Sequence, residues 1–150
     1  MTSDGEIVEQ LKNRFPTIEE INIQRSRRIW VRINPQELVE ICRFLKEEMN
    51  FDAVSSISGV DRRTNFEVSY MLWSTTNKTV LILTVPVPKE PLSLPTVTNI
   101  WGAANWHERE IYDMFGIEFE NHPNLKRILL PENADYYPLR KSFKYPSKKE

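Results

Sequence analysis

Cysteine, glycine and histidine are all scarce here, and each shortage closes off a class of chemistry. Cys42 is the only cysteine, which excludes an intrachain disulfide and an intrachain four-cysteine iron–sulfur site. His107 and His122 are the only histidines, which argues against a histidine-rich zinc centre. Gly5, Gly59, Gly102 and Gly116 are too scattered to form a phosphate-binding loop or a dinucleotide fingerprint. No glycine–serine–glycine nucleophile turn occurs. No stretch approaches the roughly 20 apolar residues that span a bilayer. Membrane association is therefore expected only through a partner. The opening MTSDGEIVEQ is acidic and amphipathic, unlike a secretory signal. A net charge of −1 gives no global field to attract nucleic acid or acidic ligands.

What is present has the balance of a folded domain: 40% apolar and 27% charged residues over 150 positions. Charge is uneven, since residues 121–150 hold seven Lys/Arg and three Asp/Glu, a basic segment on an acidic body. Ser3 and Glu6 have capping-box spacing, and Ile7, Val8, Leu11 and Phe15 form one helical stripe before Pro16. Period-two apolar residues, Ile21 and Ile23, then Ile29, Val31 and Ile33, predict a hairpin. Its Arg25, Arg27, Arg28 and Arg32 fit either an anion patch or the charged tip and solvent face of that hairpin.

Asn34-Pro35-Gln36-Glu37 predicts the start of a helix reaching about Asn50. Leu38, Ile41, Cys42, Leu45 and Met49 share one face of it, so Cys42 is expected to be a packed thiol. Three strands follow, at Phe51–Val60, Phe66–Trp73 and Lys78–Val87. The last has two apolar faces, as a central strand covered on both sides has, or one covered on one side by another subunit. Prolines 86, 88, 91 and 95 force an extended crossing, and Thr96–Gly102 is a candidate short helix. The order helix-β-β-helix-β-β-β-helix predicts an α+β, two-layer fold. In it, helices pack on one mostly antiparallel or mixed sheet of about five strands, with an irregular C-terminal tail.

The densest stretch runs from Asn105 to Phe143. Asn105 and Glu108 have capping-box spacing, and Gly116 stands where a helix needs a left-handed C-terminal residue. On the helix between them, Trp106, Arg109, Glu110 and Asp113 fall on one face and His107, Ile111, Met114 and Phe115 on the expected core side. Arg109 and Asp113 are spaced to pair. Glu108 and Glu110 point too far apart round the axis to share a proton or a metal. The first face fits a surface ion-pair face or a recognition patch equally well.

The series Glu108, Arg109, Glu110, Asp113, Met114, Phe115 and His122, continued by Lys126, Ile128 and Leu129 and then by Tyr137-Pro138-Leu139-Arg140-Lys141, resembles the 30 kDa subunit family of respiratory complex I. Relatives of that family occur in deazaflavin-dependent dehydrogenases and membrane-bound hydrogenases. The resemblance is densest over Trp101–Phe143. It implies a non-catalytic structural subunit in the peripheral arm of an ion-translocating NADH or deazaflavin coenzyme:quinone oxidoreductase. Such a subunit sits beside the 49 kDa-type subunit near the quinone site, with an energy-converting hydrogenase as the alternative setting.

The same resemblance implies no cofactor in this chain, with flavin or deazaflavin, iron–sulfur clusters and quinone in partner subunits. Its location would be peripheral, on the cytoplasmic side of the energy-converting membrane or the matrix or stroma equivalent. Residues 1–120 would form the body and 121–150 a basic docking segment. The implied partner interface comprises Trp106, Glu108, Arg109, Glu110, Asp113, Phe115, Gly116, His122, Pro123, Lys126, Arg127, Pro138, Leu139 and Arg140. Only Ser142–Glu150 follow the last motif, shorter than the C-terminal extension of several family members. Two other classes make contrary predictions. A nucleic-acid module would use Arg25–Arg32 and the basic tail. A hydrolase would need Glu108, Glu110 or Asp113 in a concave site with a raised pKa.

Overall fold

A computed structural model describes residues 1–145. The chain runs α1 (Asp4–Arg14), β1 (Glu20–Arg25), β2 (Arg28–Arg32), α2 (Leu38–Glu47), β3 (Ala53–Asp61), β4 (Asn65–Ser74), β5 (Thr79–Pro88), β6 (Ser93–Pro95), α3 (Ala104–Phe115) and β7 (Glu118–Glu120). The Ser3 hydroxyl accepts from the Glu6 N–H and caps α1. Pro35–Glu37 forms a single 3-10 turn capped by Asn34, and α2 proper ends at Glu47, short of the predicted Asn50. No helix among the described residues is long and apolar enough to cross a membrane.

Five strands form one mixed sheet in the order β1-β2-β5-β4-β3. Only β2 and β5 are parallel, with Trp30 opposite Ile82; the other pairs are antiparallel. The strand with two apolar faces, β5, is thus the central one. Burial alternates strictly along β4, where Phe66, Val68, Tyr70 and Leu72 are buried and the residues between them half-buried. The buried set joins Ile29, Val31, Leu81, Leu83 and Val85 to the apolar stripes of α1 and α2 in one core. Trp30, Met71, Trp73 and Ile82 lie on the opposite face and are half-buried. Helices therefore cover one side of β5, and its other side is partly open to solvent.

A second, smaller unit carries the region of interest. β6 and β7 pair in parallel, with Leu94 opposite Phe119, and α3 is the crossover between them. The predicted helix at Thr96–Gly102 is instead a pair of turns, in which Val97 O accepts from the Ile100 and Trp101 N–H groups. Two hydrogen bonds to the body pin these turns. Lys46 Nζ donates to Ile100 O at 2.5 Å, and Trp101 Nε1 donates to Phe51 O at 3.0 Å. The helix then begins at Ala104 with no side-chain cap, so Asn105 lies inside the first turn rather than capping it. The preceding turn leads directly into the helix, since the Ala104 and Asn105 N–H groups donate to Trp101 O and Gly102 O.

Candidate functional site

Helix α3 buries Ala104, Glu108, Ile111, Asp113 and Phe115. This departs from the face predicted by helical spacing. Trp106 is 57% exposed and Glu110 exposed, as expected, but Asp113 is fully buried, and His107 and Met114 are only half-buried. The cause is that α3 is covered from two sides. The sheet takes Ile111 and Phe115, and the segment after β7 folds back over Asp113.

The first anchor of that segment is an ion pair. Arg127 Nη1 donates to Asp113 Oδ1 at 2.8 Å, with side-chain exposures of 6% and 0%. Asp113 Oδ2 accepts the backbone N–H groups of Ile128, Leu129 and Leu130 at 3.2, 2.7 and 3.0 Å. One carboxylate thus organises a tight backbone nest. Burial pushes the Asp113 carboxyl up, but the guanidinium and the three N–H groups outweigh it and hold the group below the usual carboxylate range. Arg127 also donates to Asp113 O, Ala134 O and Tyr136 O, and its guanidinium lies 4.7 Å from the centre of the Tyr137 ring.

A second anchor sits at the helix C-terminus. Gly116 adopts φ +80°, and a Cβ there would meet Arg140 Nη2 at 2.5 Å and the Tyr137 ring at 3.0 Å. Arg140 Nε donates to Phe115 O at 2.6 Å, and its guanidinium stacks on Tyr137 at 4.5 Å. The Leu139 N–H donates to Met114 O. Arg140 and the Leu139 N–H therefore cap the orphan carbonyls of Phe115 and Met114 where the macrodipole is negative. Beyond it, the Lys141 N–H donates to Asp61 Oδ2 at 2.8 Å, tying the segment to the end of β3.

A third anchor faces the helix N-terminus. Arg109 does not pair with Asp113; its Nε and Nη2 donate to Lys126 O and Arg127 O at 3.1 and 3.0 Å, with the guanidinium 5.2 Å from the Trp106 ring centre. His122 Nδ1 accepts the Asn124 N–H at 3.0 Å, which leaves Nε2 to donate to Asn105 O at 3.2 Å. Burial, and secondarily the Arg109 charge, lower the His122 pKa, consistent with this neutral tautomer.

Glu108 stands apart from these anchors. It is fully buried, and Thr96 Oγ1 lies 2.5 Å from its Oε1 and 2.9 Å from its Oε2. Its Oε2 also accepts the Val97 N–H at 3.2 Å. Burial raises its pKa to about 7 against these stabilising bonds. The hydrolase reading needed such a carboxyl in an open cleft; Glu108 has the raised pKa and no exposure. Burial likewise pushes the Cys42 thiol up, as a packed thiol requires.

The hairpin arginines are largely engaged. Arg32 pairs with Glu19 and Glu67, Arg27 with Asp4, and Arg28 donates to Gln24. Among the described residues no three His, Cys, Asp or Glu side chains cluster as a metal site.

Of the predicted interface residues, Trp106, Glu110, Pro123, Lys126 and Leu139 are exposed, while Glu108, Arg109, Asp113, Phe115, Gly116, His122, Arg127 and Arg140 are engaged within the chain. Half-buried Pro138 lines a groove of about 490 Å³ with Leu130, Tyr136, Phe143, Lys144 and Tyr145. Leu129 at 64%, Leu139 at 55%, Tyr136 at 40% and Tyr145 at 85% exposure add apolar surface to the same segment. Spacing did not single out Leu129, Tyr136, Tyr145 or Thr96. Leu129 was legible only as a member of the family series, and Tyr136 only as an aromatic in a turn-rich, proline-marked stretch. The predicted docking segment continues into residues 146–150, which lie outside the described residues.

Comparison with known proteins places this arrangement. The family model for the respiratory-chain NADH dehydrogenase 30 Kd subunit matches residues 31–149. An NADH-quinone oxidoreductase subunit of Geobacter sulfurreducens is 36% identical over 148 residues, spanning 95% of this chain and 91% of that one. An F(420)H(2) dehydrogenase subunit of Methanosarcina mazei is 36% identical over 141 residues, spanning 91% and 89%. A chain of the membrane-bound sulfane sulfur reductase, an archaeal respiratory membrane complex, superposes with a TM-score of 0.84 at 28% identity over 93% of this chain and 85% of that chain.

Proposed function

The chain belongs to the respiratory-chain NADH dehydrogenase 30 Kd subunit family, and from that premise we propose that it is a structural subunit of a complex I-like, ion-translocating oxidoreductase. Its role is to hold a neighbouring subunit of the 49 kDa type beside the quinone site, with residues 1–120 as the body and the basic segment 121–150 as the docking element. It sits peripherally, on the cytoplasmic side of the membrane or its matrix or stroma equivalent, through the complex alone. Flavin or deazaflavin, iron–sulfur clusters and quinone belong to partner subunits. The relatives' names differ in electron donor, NADH against F(420)H(2), while both are subunits similar to this chain. That contrast supports placing donor recognition elsewhere in the complex.

One observation carries the docking role. The family-motif side chains Asp113, Arg127 and Arg140 are bonded inward, and in being so they hold Leu129, Tyr136 and Leu139 outward on an irregular segment. A folded chain that fixes exposed apolar side chains by a buried charge pair and an arginine cap is built to present them. Trp106 and Arg109, stacked beside that segment, extend the surface with residue types common at interface centres.

The test uses Leu129→Asp and Leu139→Asp in the native host. Both side chains are mostly exposed, so the variant chain keeps its thermal melt while co-purification with the membrane complex drops sharply. Full assembly of both variants would contradict the docking role. Recovery of the wild-type chain from native membranes free of any large redox partner would contradict membership of a complex.

A further inference from the structure

Glu108 belongs to none of the anchors just described, and its surroundings are unusual for a carboxyl. It is buried and forms no ion pair among the described residues. A charged carboxylate in such a place is strongly disfavoured unless a cation or several donors compensate. Its donors here are one hydroxyl and one backbone N–H. The hydroxyl in question also leads outward, since Thr96 Oγ1 lies 3.0 Å from Thr98 Oγ1, and Thr98 is half-buried at the surface of the turn.

We propose that Glu108 is an internal proton-binding site, exchanging its proton with the surface through the hydroxyls of Thr96 and Thr98. This goes beyond the docking role and does not depend on it. The Thr98 N–H donates to Thr96 Oγ1 at 3.2 Å and holds the two hydroxyls in line. With Glu108 ionised, the Thr98 hydroxyl donates to Thr96 and the Thr96 hydroxyl donates to the carboxylate. Arrival of a proton at Thr98 reverses both bonds: each hydroxyl passes one proton inward and receives one from outside. Glu108 then becomes the donor, through its Oε1, to Thr96. The balance is one proton taken from solvent and one gained by Glu108, with both hydroxyls unchanged.

None of the groups around Glu108 forms an ion pair with it among the described residues. α2 presents the Cys42 thiol and β4 the Tyr70 hydroxyl; both are buried, and both are pushed up by burial first and by the Glu108 charge second. Tyr70 Oη has no hydrogen-bond partner among the described residues. The Lys46 ammonium of α2 is bonded to Ile100 O of the adjoining turn. The carboxylate of β3, Asp61, is engaged by the Arg63 and Lys141 N–H groups. On α3 itself Arg109 is bonded to the segment after β7, and Asp113 to Arg127.

Carbon-13 carboxyl NMR of the full chain, labelled at glutamate, tests both parts. The signal is assigned by its loss in Glu108→Gln, or through bonds from the wild-type backbone if that variant does not fold. It is expected to titrate with a midpoint of about 7. A midpoint at or below about 5, the ordinary carboxylate range, would overturn the proton site. Thr98→Val should leave the midpoint in place but slow exchange, so that one averaged signal splits into protonated and ionised signals. An averaged signal that persists in Thr98→Val would overturn the relay.

Discussion

Glu108 and Asp113 lie on one helix, both fully buried, and respond to pH in opposite senses. The folded Glu108 holds its proton up to about 7, against a usual value of 4.5, so the folded state binds more protons than the unfolded one between them. Its contribution to stability is therefore complete at the acidic end and is lost as pH rises through about 7, by roughly 3 kcal/mol for a shift of this size. Asp113 is held below its usual 3.8, so its contribution is present above that value and is lost as pH falls through the folded one. Urea denaturation across pH should show both limbs. Glu108→Gln removes the loss toward neutral pH and Asp113→Asn the loss toward acid, each leaving the other.

Truncation at the ion pair has a different cost. Asp113→Ala leaves the Arg127 guanidinium, 6% exposed, without its partner and frees three N–H groups at once. Breaking a buried pair by removing one member typically costs about 3–5 kcal/mol. Here the loss falls mainly on the segment after β7. Hydrogen exchange should accelerate at Ile128–Leu130 far more than in β4 and β5; equal acceleration would show the segment to be integral to the core. The sequence announced Asp113 and Arg127 as motif members but not as partners. They sit fourteen positions apart across a helix end, a strand and a turn, beyond the reach of any periodicity.

At the scale of elements, the C-terminal end of α3 is fitted to its surroundings by two glycines. Gly59 lets the Phe115 ring approach so closely that a Cβ would meet it at 2.7 Å, and Gly116 turns the chain at φ +80° beneath Arg140. Gly116→Ala carries both backbone strain and a clash, and should destabilise by more than about 1 kcal/mol. Gly59→Ala displaces an aromatic ring packed edge-on to Phe66, so its effect should appear as a changed Phe66–Phe115 contact by NMR. Retained melting temperature in Gly116→Ala would show that the turn tolerates a side chain.

Element identity was legible wherever a period was clear: both hairpin strands, the stripe of α2 and the two-faced β5 follow from apolar spacing. The start of α3 was not, because the turn at Trp101 and Gly102 already accepts the Ala104 and Asn105 N–H groups and places Asn105 inside the helix. Its buried face was misread for a related reason. Wheel geometry orients a helix toward one core, and α3 has a second cover supplied by residues that follow it.

At the scale of the whole molecule, the segment after β7 has no ladder of its own among the described residues and depends there on point anchors at Arg109, Asp113, Gly116 and Asp61. Limited trypsin treatment should cut first at exposed Lys144 and Lys141 and more slowly at Lys126, whose backbone carbonyl is bonded to Arg109. Arg109→Ala should bring the Lys126 cut forward. If Lys126 is cleaved as fast as Lys144 in the wild type, that anchor does not hold in solution.

The parallel pairing of β2 with β5 joins residues 28–32 to 80–84, so the sheet cannot close during synthesis until β5 has been made. The hairpin of β1 and β2 leaves the ribosome early, yet its inner edge has no partner until β5 has followed some fifty residues later. A two-stranded hairpin alone is marginal in water. β3, β4 and β5 are contiguous and are expected to close first as an antiparallel meander that the hairpin then joins; pulse-labelled hydrogen exchange that protects β2 before β4 would contradict that order. Closure of that single parallel seam is the step that turns two local assemblies into one sheet.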